Sequence, residues 1–300
     1  MLKIIPAEQP IPVMHQYLLG SVGPRPIAMA STVDAEGNRN LSPFSFFNVF
    51  SANPPVLIFS PARRGRNNTT KDTYHNCKDT REVVINVVNF DMVQQTSLSS
   101  TEYDSGIDEF VKAGLTPVAS ETVKPFRVKE SPVQFECVVN DVIELGDGGA
   151  AGNLVICEVK LMHIDERILA DDGKIDQDKI DLVGRMGRDW YTRASGDALF
   201  WVEKPIARKG IGVDQIPPAI KNSTILTGND LGKLGNIEHI PDAAEIEAYL
   251  ADDYDTRQIV KSGADGMEKR EALHELAQRY LEENRVLDAW KVLLQDKMAR

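Results

Sequence analysis

The chain has little that would tie it to a membrane or to an oxidising compartment. No uninterrupted apolar run in its 300 residues is long enough to cross a bilayer. Residues 1–12 hold one lysine and three prolines but no apolar core of a secretory leader. A cytoplasmic protein is therefore expected. Cysteine is scarce: Cys77, Cys137 and Cys157 are far apart and odd in number, which fits neither a disulfide framework nor a zinc ribbon. Positive charge is in the minority, with 34 Lys and Arg against 45 Asp and Glu and a formal net charge of -11. Such a surface repels phosphate backbones, so neither nucleic acid nor an anionic membrane is an expected partner. Any bound phosphate must be met by a local basic cluster. Catalytic signatures are missing too. There is no Gly-x-Ser-x-Gly elbow, no His-Glu-x-x-His zinc site and no Walker loop, and the five histidines are scattered. This pattern suits a protein whose chemistry sits in an organic cofactor that the chain binds, orients and polarises.

What is present reads first as strands. Ile27 to Val33 is a short, mostly apolar run, and Asp34-Ala35-Glu36-Gly37-Asn38 turns it back through Arg39 to Ser42 as a hairpin. Pro55 to Ser60 and the β-branched Glu82 to Val88 are further strands. Val133 to Leu145 and Leu154 to Ile168 flank the glycine-rich segment Gly146 to Asn153. A phosphate loop opens a helix, whereas this segment joins two strands, so it is read as a hairpin turn. Short helices are expected at 73–79, with Asp72 as cap, at 91–99 and at 108–113. Strands that do not alternate with long helices predict a mainly β fold: an antiparallel barrel with short helices, plus an α-helical C-terminal extension. The expected divisions are a barrel domain over 1–205, an irregular linker over 206–240 and a helical extension over 241–300. In that extension Pro241-Asp242-Ala243 starts one helix, and Met267 to Met298 carries a stripe of Leu273, Leu276, Ala277, Tyr280, Leu287, Trp290 and Leu294, with Asn284 marking a break.

Such a cofactor site needs hydroxyls, backbone amides and one or two cations near a strand edge. Three segments offer them: Pro24 to Thr32, Asn40 to Asn48 and Lys71-Asp72-Thr73. Ser31, Thr32, Ser42 and Ser45 can bond a heterocycle or a phosphate, and Lys71 and Thr73 at a helix start can hold a phosphate. Each has a plainer alternative. Arg25, between two prolines, suits a surface ion pair as well as a cofactor contact. Phe44, Phe46, Phe47 and Phe50 suit a core, and strand alternation lets only some of them touch a ligand. Arg63, Arg64 and Arg66 suit a solvated loop or a handle for the phosphates of a dinucleotide. Trp190, Tyr191 and Arg193 suit a lid or a closing edge of the barrel.

These segments resemble the flavin reductase-like family with an FMN-binding split barrel, which includes the flavoredoxins. The resemblance rests on Arg25-Pro26-Ile27 leading to Ser31-Thr32, on Asn40-Leu41-Ser42-Pro43-Phe44-Ser45-Phe46-Phe47-Asn48, and on Lys71-Asp72-Thr73 before a strand. Further matches are Asp108-Glu109-Phe110, Gly114 to Pro117, Ser131-Pro132-Val133, Glu136-Cys137, Glu158 to His163 and Val183-Gly184-Arg185. It covers roughly residues 15 to 200. It implies a homodimer with FMN near the interface, and hydride transfer from NADH or NADPH to flavin or electron transfer to a small acceptor. It also implies that Ser31, Thr32, Ser45, Phe46 and Asn48 line the ring and ribityl chain, with Arg25, Ser42 and Phe47 as further candidates. Lys71 and Thr73, with Ser60 as another candidate, face the phosphate, and His163 borders the nicotinamide. The alternatives are a flavoredoxin-like electron carrier, or a redox-sensing module whose C-terminal helices recruit a protein partner.

Overall fold

The computed structural model describes residues 1–206, 209–263 and 266–296. The chain divides into two compact units, Met1–Phe200 and Trp201–Arg300.

The first unit opens with a helix that sequence reasoning passed over, α1 (Ile11–Ser21), entered through Pro10. The strands β1 (Ala28–Val33), β2 (Arg39–Phe44), β3 (Phe47–Ala52) and β4 (Pro55–Phe59) follow, then α2 (Asp72–Asp79) and β5 (Glu82–Val87). Two short helices, α3 (Val93–Leu98) and α4 (Glu109–Ala113), precede a small hairpin of β6 (Pro117–Val118) and β7 (Arg127–Val128). The long strands β8 (Val133–Glu144) and β9 (Asn153–Ile164), the one-turn helix α5 (Gln177–Ile180) and a second hairpin of β10 (Leu182–Arg185) and β11 (Tyr191–Ala194) complete the unit. Glu144 pairs with Asn153, so the glycine-rich segment between β8 and β9 is a hairpin turn.

Seven of these strands form one sheet in the order β2-β1-β5-β8-β9-β4-β3, with antiparallel neighbours throughout. Its two edge strands, β2 and β3, are consecutive in the chain and separated by Ser45 and Phe46 alone. The span from Phe44 to Phe47 can reach roughly 11 Å at most, so the sheet must curl until its edges nearly meet. That is a split barrel. Alternation then sorts β1: Ala28 and Ala30 join Phe44, Leu57, Phe59, Val83, Ile85 and Val155 inside, while Met29 packs outside with Leu41, Met92 and Phe110. Both faces of β1 are buried, which is why its sequence shows no polar alternation. Cys77 of α2 inserts into the interior beside Cys157, and burial pushes its thiol pKa up. Asp72 is the first residue of α2 rather than its cap; Lys71 takes the cap position without a side-chain bond, and the Asp72 carboxylate sits at the helix start, where the macrodipole favours an acid.

The second unit contains α6 (Pro218–Lys221), α7 (Gly228–Leu234), α8 (Ala243–Asp252), α9 (Tyr254–Lys261), α10 (Gly266–Glu282) and α11 (Val286–Leu293). Asp242 starts α8 with a capping box to Glu245. Asn284, at φ 64°, breaks α10 from α11. The stripe is largely buried, but Leu287 lies on the exposed side of α11, and Met298 lies outside the described residues. The segment expected to be an irregular linker belongs to this core. Ile216, Ile220, Leu226 and Leu234 are buried in it, and the Leu234 carbonyl accepts the Trp290 indole N–H at 3.0 Å. Gly, Pro and Asn there mark tight turns between short helices, not a structureless run.

Candidate functional site

A polar cleft opens where β2 meets the start of α2. Asn40 and Ser42 of β2 form one wall, Lys71, Asp72 and Thr73 another, and Arg64, Ser99 to Tyr103 and Glu109 complete it. Its floor is a buried hydrogen-bond network. The Asn40 side-chain amide donates to the hydroxyls of Thr32, at 3.0 Å, and Thr73, at 2.9 Å, and the Asn76 amide donates to Thr32 at 3.0 Å. Each threonine hydroxyl keeps its own proton to give. The Lys71 ammonium lies 5.1 Å from the centre of the Phe44 ring. Burial and the Arg64 charge lower its pKa, against Glu102 and Glu109, which raise it. Glu109 accepts the Leu41 backbone N–H at 2.9 Å, and burial raises its carboxyl above the usual range.

The arginine-rich segment leading into α2 is built, not merely solvated. The Arg63 N–H donates to the Ala151 carbonyl at 2.8 Å, and the Ala150 N–H returns to the Arg63 carbonyl at 3.1 Å. The Asn68 amide donates to the Asp147 carbonyl at 2.8 Å. The Arg63 guanidinium is taken up by Asn68, while Arg64 donates to the Thr69 hydroxyl at 3.0 Å and the Thr70 carbonyl at 2.7 Å. The β8–β9 turn thus supports the basic loop.

The cleft collects Ser42, Lys71 and Thr73 from the expected residues, with Thr32 beneath it. Ser31 points to the opposite face of β1 from Thr32; its hydroxyl is buried and has no hydrogen-bond partner among the described residues. Ser45, Phe46, Phe47 and Asn48 lie at the joint of β2 and β3 and the start of β3, with Phe46 and Asn48 exposed and Phe47 against the barrel interior. Ser60 accepts the Asn153 N–H at 3.0 Å. Arg25 is buried rather than paired at the surface and does not line the cleft; its Nε donates to the Ser45 hydroxyl at 3.4 Å, at the joint of β2 and β3. Its guanidinium donates to the carbonyls of Leu19, at 2.8 Å, Val22, and Met186, at 2.9 Å, clamping the end of α1 to the β10–β11 hairpin.

His163 stands apart from the cleft. Its Nε2 is 2.8 Å from an oxygen of Glu136, which is fully buried on β8. Burial alone would raise the Glu136 carboxyl; the Thr122 hydroxyl, the Glu121 and Thr122 N–H groups and His163 outweigh it and hold the pKa at about 2. A second cavity, of about 430 Å³, lies between Phe90, Val93 and Gln94 on one side and Arg185, Tyr191 and Arg193 on the other. It is larger, and the lid candidates Tyr191 and Arg193 line it, but none of the residues expected to hold the ring, ribityl chain or phosphate does. Arg193 is spent on Asp181, at 2.7 Å through both nitrogens, and on the Phe90 ring, so it joins the hairpin to the body of the unit. Charge and hydroxyl chemistry favour the Lys71 cleft. Asn40, Asn76, Glu109 and Ser99 to Tyr103 were not foreseen as site residues; the hydroxyl run Ser97 to Thr101 at the end of α3 was the available signal.

The family model described as flavin reductase like domain matches residues 20–177. The chain belongs to that family. An uncharacterized protein of Aquifex aeolicus (strain VF5) is 36% identical over 184 residues, which are 61% of this chain and 91% of the relative. The crystal structure of nitrilotriacetate monooxygenase component B from Bacillus cereus superposes with a TM-score of 0.63 at 30% identity, covering 67% of this chain and 98% of that one. The flavoredoxin of Desulfovibrio vulgaris (Miyazaki F), at 20% identity and a TM-score of 0.51 over 62% of this chain and 93% of its own, shares the fold. The family match ends within the first unit of this flavin reductase-like chain. Among the described residues, no helix is long and apolar enough to cross a membrane, and no group of His, Cys, Asp and Glu could hold a metal ion.

Proposed function

We propose that the chain is an FMN-dependent oxidoreductase that draws electrons from NADH or NADPH and passes them to a small acceptor. The observation that carries this reading is the Lys71 cleft. Two cations, hydroxyl donors and the first turn of a helix converge there in a flavin reductase-like chain. This donor set fits a phosphate monoester. Lys71 and Arg64 would neutralise the phosphate, and Ser42 and Thr73 would donate hydrogen bonds to it. The Asn40 amide, by engaging Thr32 and Thr73 together, fixes the hydroxyls before any ligand arrives. Ser45, Phe46 and Asn48, at the open seam of the barrel, would carry the ring end. When bound, FMN would supply the redox chemistry. The chain contributes position and charge, which can supply most of a hydride-transfer rate. The exposed Val49 and Phe50 on edge strand β3 support a second copy covering that edge.

The purified protein should be yellow, and denaturation should release FMN rather than FAD. Anaerobic mixing with NADH and with NADPH should bleach the flavin band with at least one of them. A colourless protein that takes up no added FMN would sink the proposal. A yellow protein that neither nucleotide bleaches would remove the nicotinamide step alone.

A further inference from the structure

The cleft holds an acid that the function above does not use. Glu102 lies on the segment after α3, and its carboxylate faces the basic loop: one oxygen is 2.7 Å from an Arg66 nitrogen, the other 3.8 Å from Arg64 Nε. Glu102 thus joins two segments that are distant in sequence, across the mouth of a cleft that both line. The other acids are engaged otherwise. Glu109 is tied to the Leu41 N–H, and Asp72 sits in the first turn of α2. Glu102 is half exposed, and its partner Arg66 is almost wholly exposed. It is the acid of this cleft freest to leave.

We infer that Glu102 is a resident anion standing where a ligand's phosphate acts, so that a phosphorylated flavin must displace it from Arg64. This rests on the reading of the cleft as an FMN site and adds to it the residue that sets the margin between FMN and riboflavin. The physical reason is charge balance. With Glu102 in place, its carboxylate faces Arg64 and Arg66 and stands in the same cleft as Asp72 and Glu109, a gathering of acids that disfavours a further dianion. With Glu102 turned out toward solvent beside Arg66, Arg64 is released to the phosphate. Riboflavin carries no phosphate and gains nothing from the exchange.

The experiment is a fluorescence titration of the flavin-free full chain with FMN and with riboflavin, comparing the wild type, Glu102→Gln and Asp189→Asn. Asp189 is an exposed acid at the second cavity, and its variant controls for the general change in net charge. Glu102→Gln keeps an acceptor oxygen for Arg66, and circular dichroism checks that it folds. FMN should bind Glu102→Gln roughly fivefold more tightly, the scale of one part-exposed charge. Riboflavin binding should not change, and Asp189→Asn should match the wild type with both ligands. If the wild type prefers FMN and Glu102→Gln shows the same or a smaller preference, the displacement idea is wrong while the FMN site stands. An equal gain in Asp189→Asn overturns it as well, since the effect would then be the field of the whole chain. A wild type that binds both flavins equally well removes the phosphate site and this inference together.

Discussion

Lys71 shows how much one side chain is asked to do. It is half buried, ends the extended segment before α2, and shares the cleft with Arg64. A charge-assisted bond to a phosphate is worth about 1.5–3 kcal/mol. Lys71→Ala should therefore weaken FMN about tenfold or more and leave riboflavin nearly untouched, as read from paired titrations; equal losses would make Lys71 a structural cation. Its position was legible because a lysine before a helix-opening Asp-Thr is a local pattern. The pairing of Thr32, Asn40 and Thr73 was not, because it depends on the β1–β2 register and on how α2 crosses it. Ser31 and Thr32 looked equivalent in the sequence, and strand alternation separates them. The carbonyl acceptors of Arg25 were not legible either, since one of them lies 161 residues away.

At the scale of elements, the hairpin of β6 and β7 shows what buried polar residues do outside the cleft. Residues 119–131 cross the outer face of the sheet and are fastened by side chains beneath them. Asn86 accepts the Val128 N–H at 2.8 Å, Gln134 donates to the carbonyls of Val128, at 3.0 Å, and Ser131, at 2.9 Å, and Glu136 accepts from Glu121 and Thr122. His163 belongs to this fastening. The strands themselves were readable from β-branched runs and turn residues, but the fastening was not, since Glu136 and His163 meet only across β8 and β9. A carboxyl held at about 2 in the folded chain, and at about 4.3 when unfolded, contributes stability in full above the unfolded value. That contribution is lost as pH falls through the folded one. Glu136→Gln should thus be clearly less stable than the wild type near neutral pH, and the gap should narrow between about pH 4.5 and 2. Urea midpoints measured at pH 7, 4 and 3 check this; a gap constant with pH would mean that the ionised form is not what holds the hairpin.

For the whole molecule, each unit has its own core. The barrel interior and the outer layer under α3 and α4 lie within Met1–Phe200, and the cluster around Trp290 lies within Trp201–Arg300. A chain ending at Phe200 should fold and keep its flavin, measured as flavin per protein after purification and by its size in solution. A folded but flavin-free truncation would mean that the second unit completes the site. The amphipathic pattern of α10 and α11 was readable from periodicity, whereas α6 and α7 are too short to show one. The support that the β8–β9 turn gives the basic loop also bears on where this chain could accept foreign sequence. Glycine-rich hairpin tips usually look like free sites for grafting an epitope or a reporter. The tip at 146–153 is not free, because its carbonyls and N–H groups hold residues 63 and 68 in place. Among the described residues, the tip at 34–38 bonds only to itself. A peptide inserted after Glu36 should leave cofactor affinity intact, while the same peptide inserted after Gly148 should loosen the basic loop and weaken it.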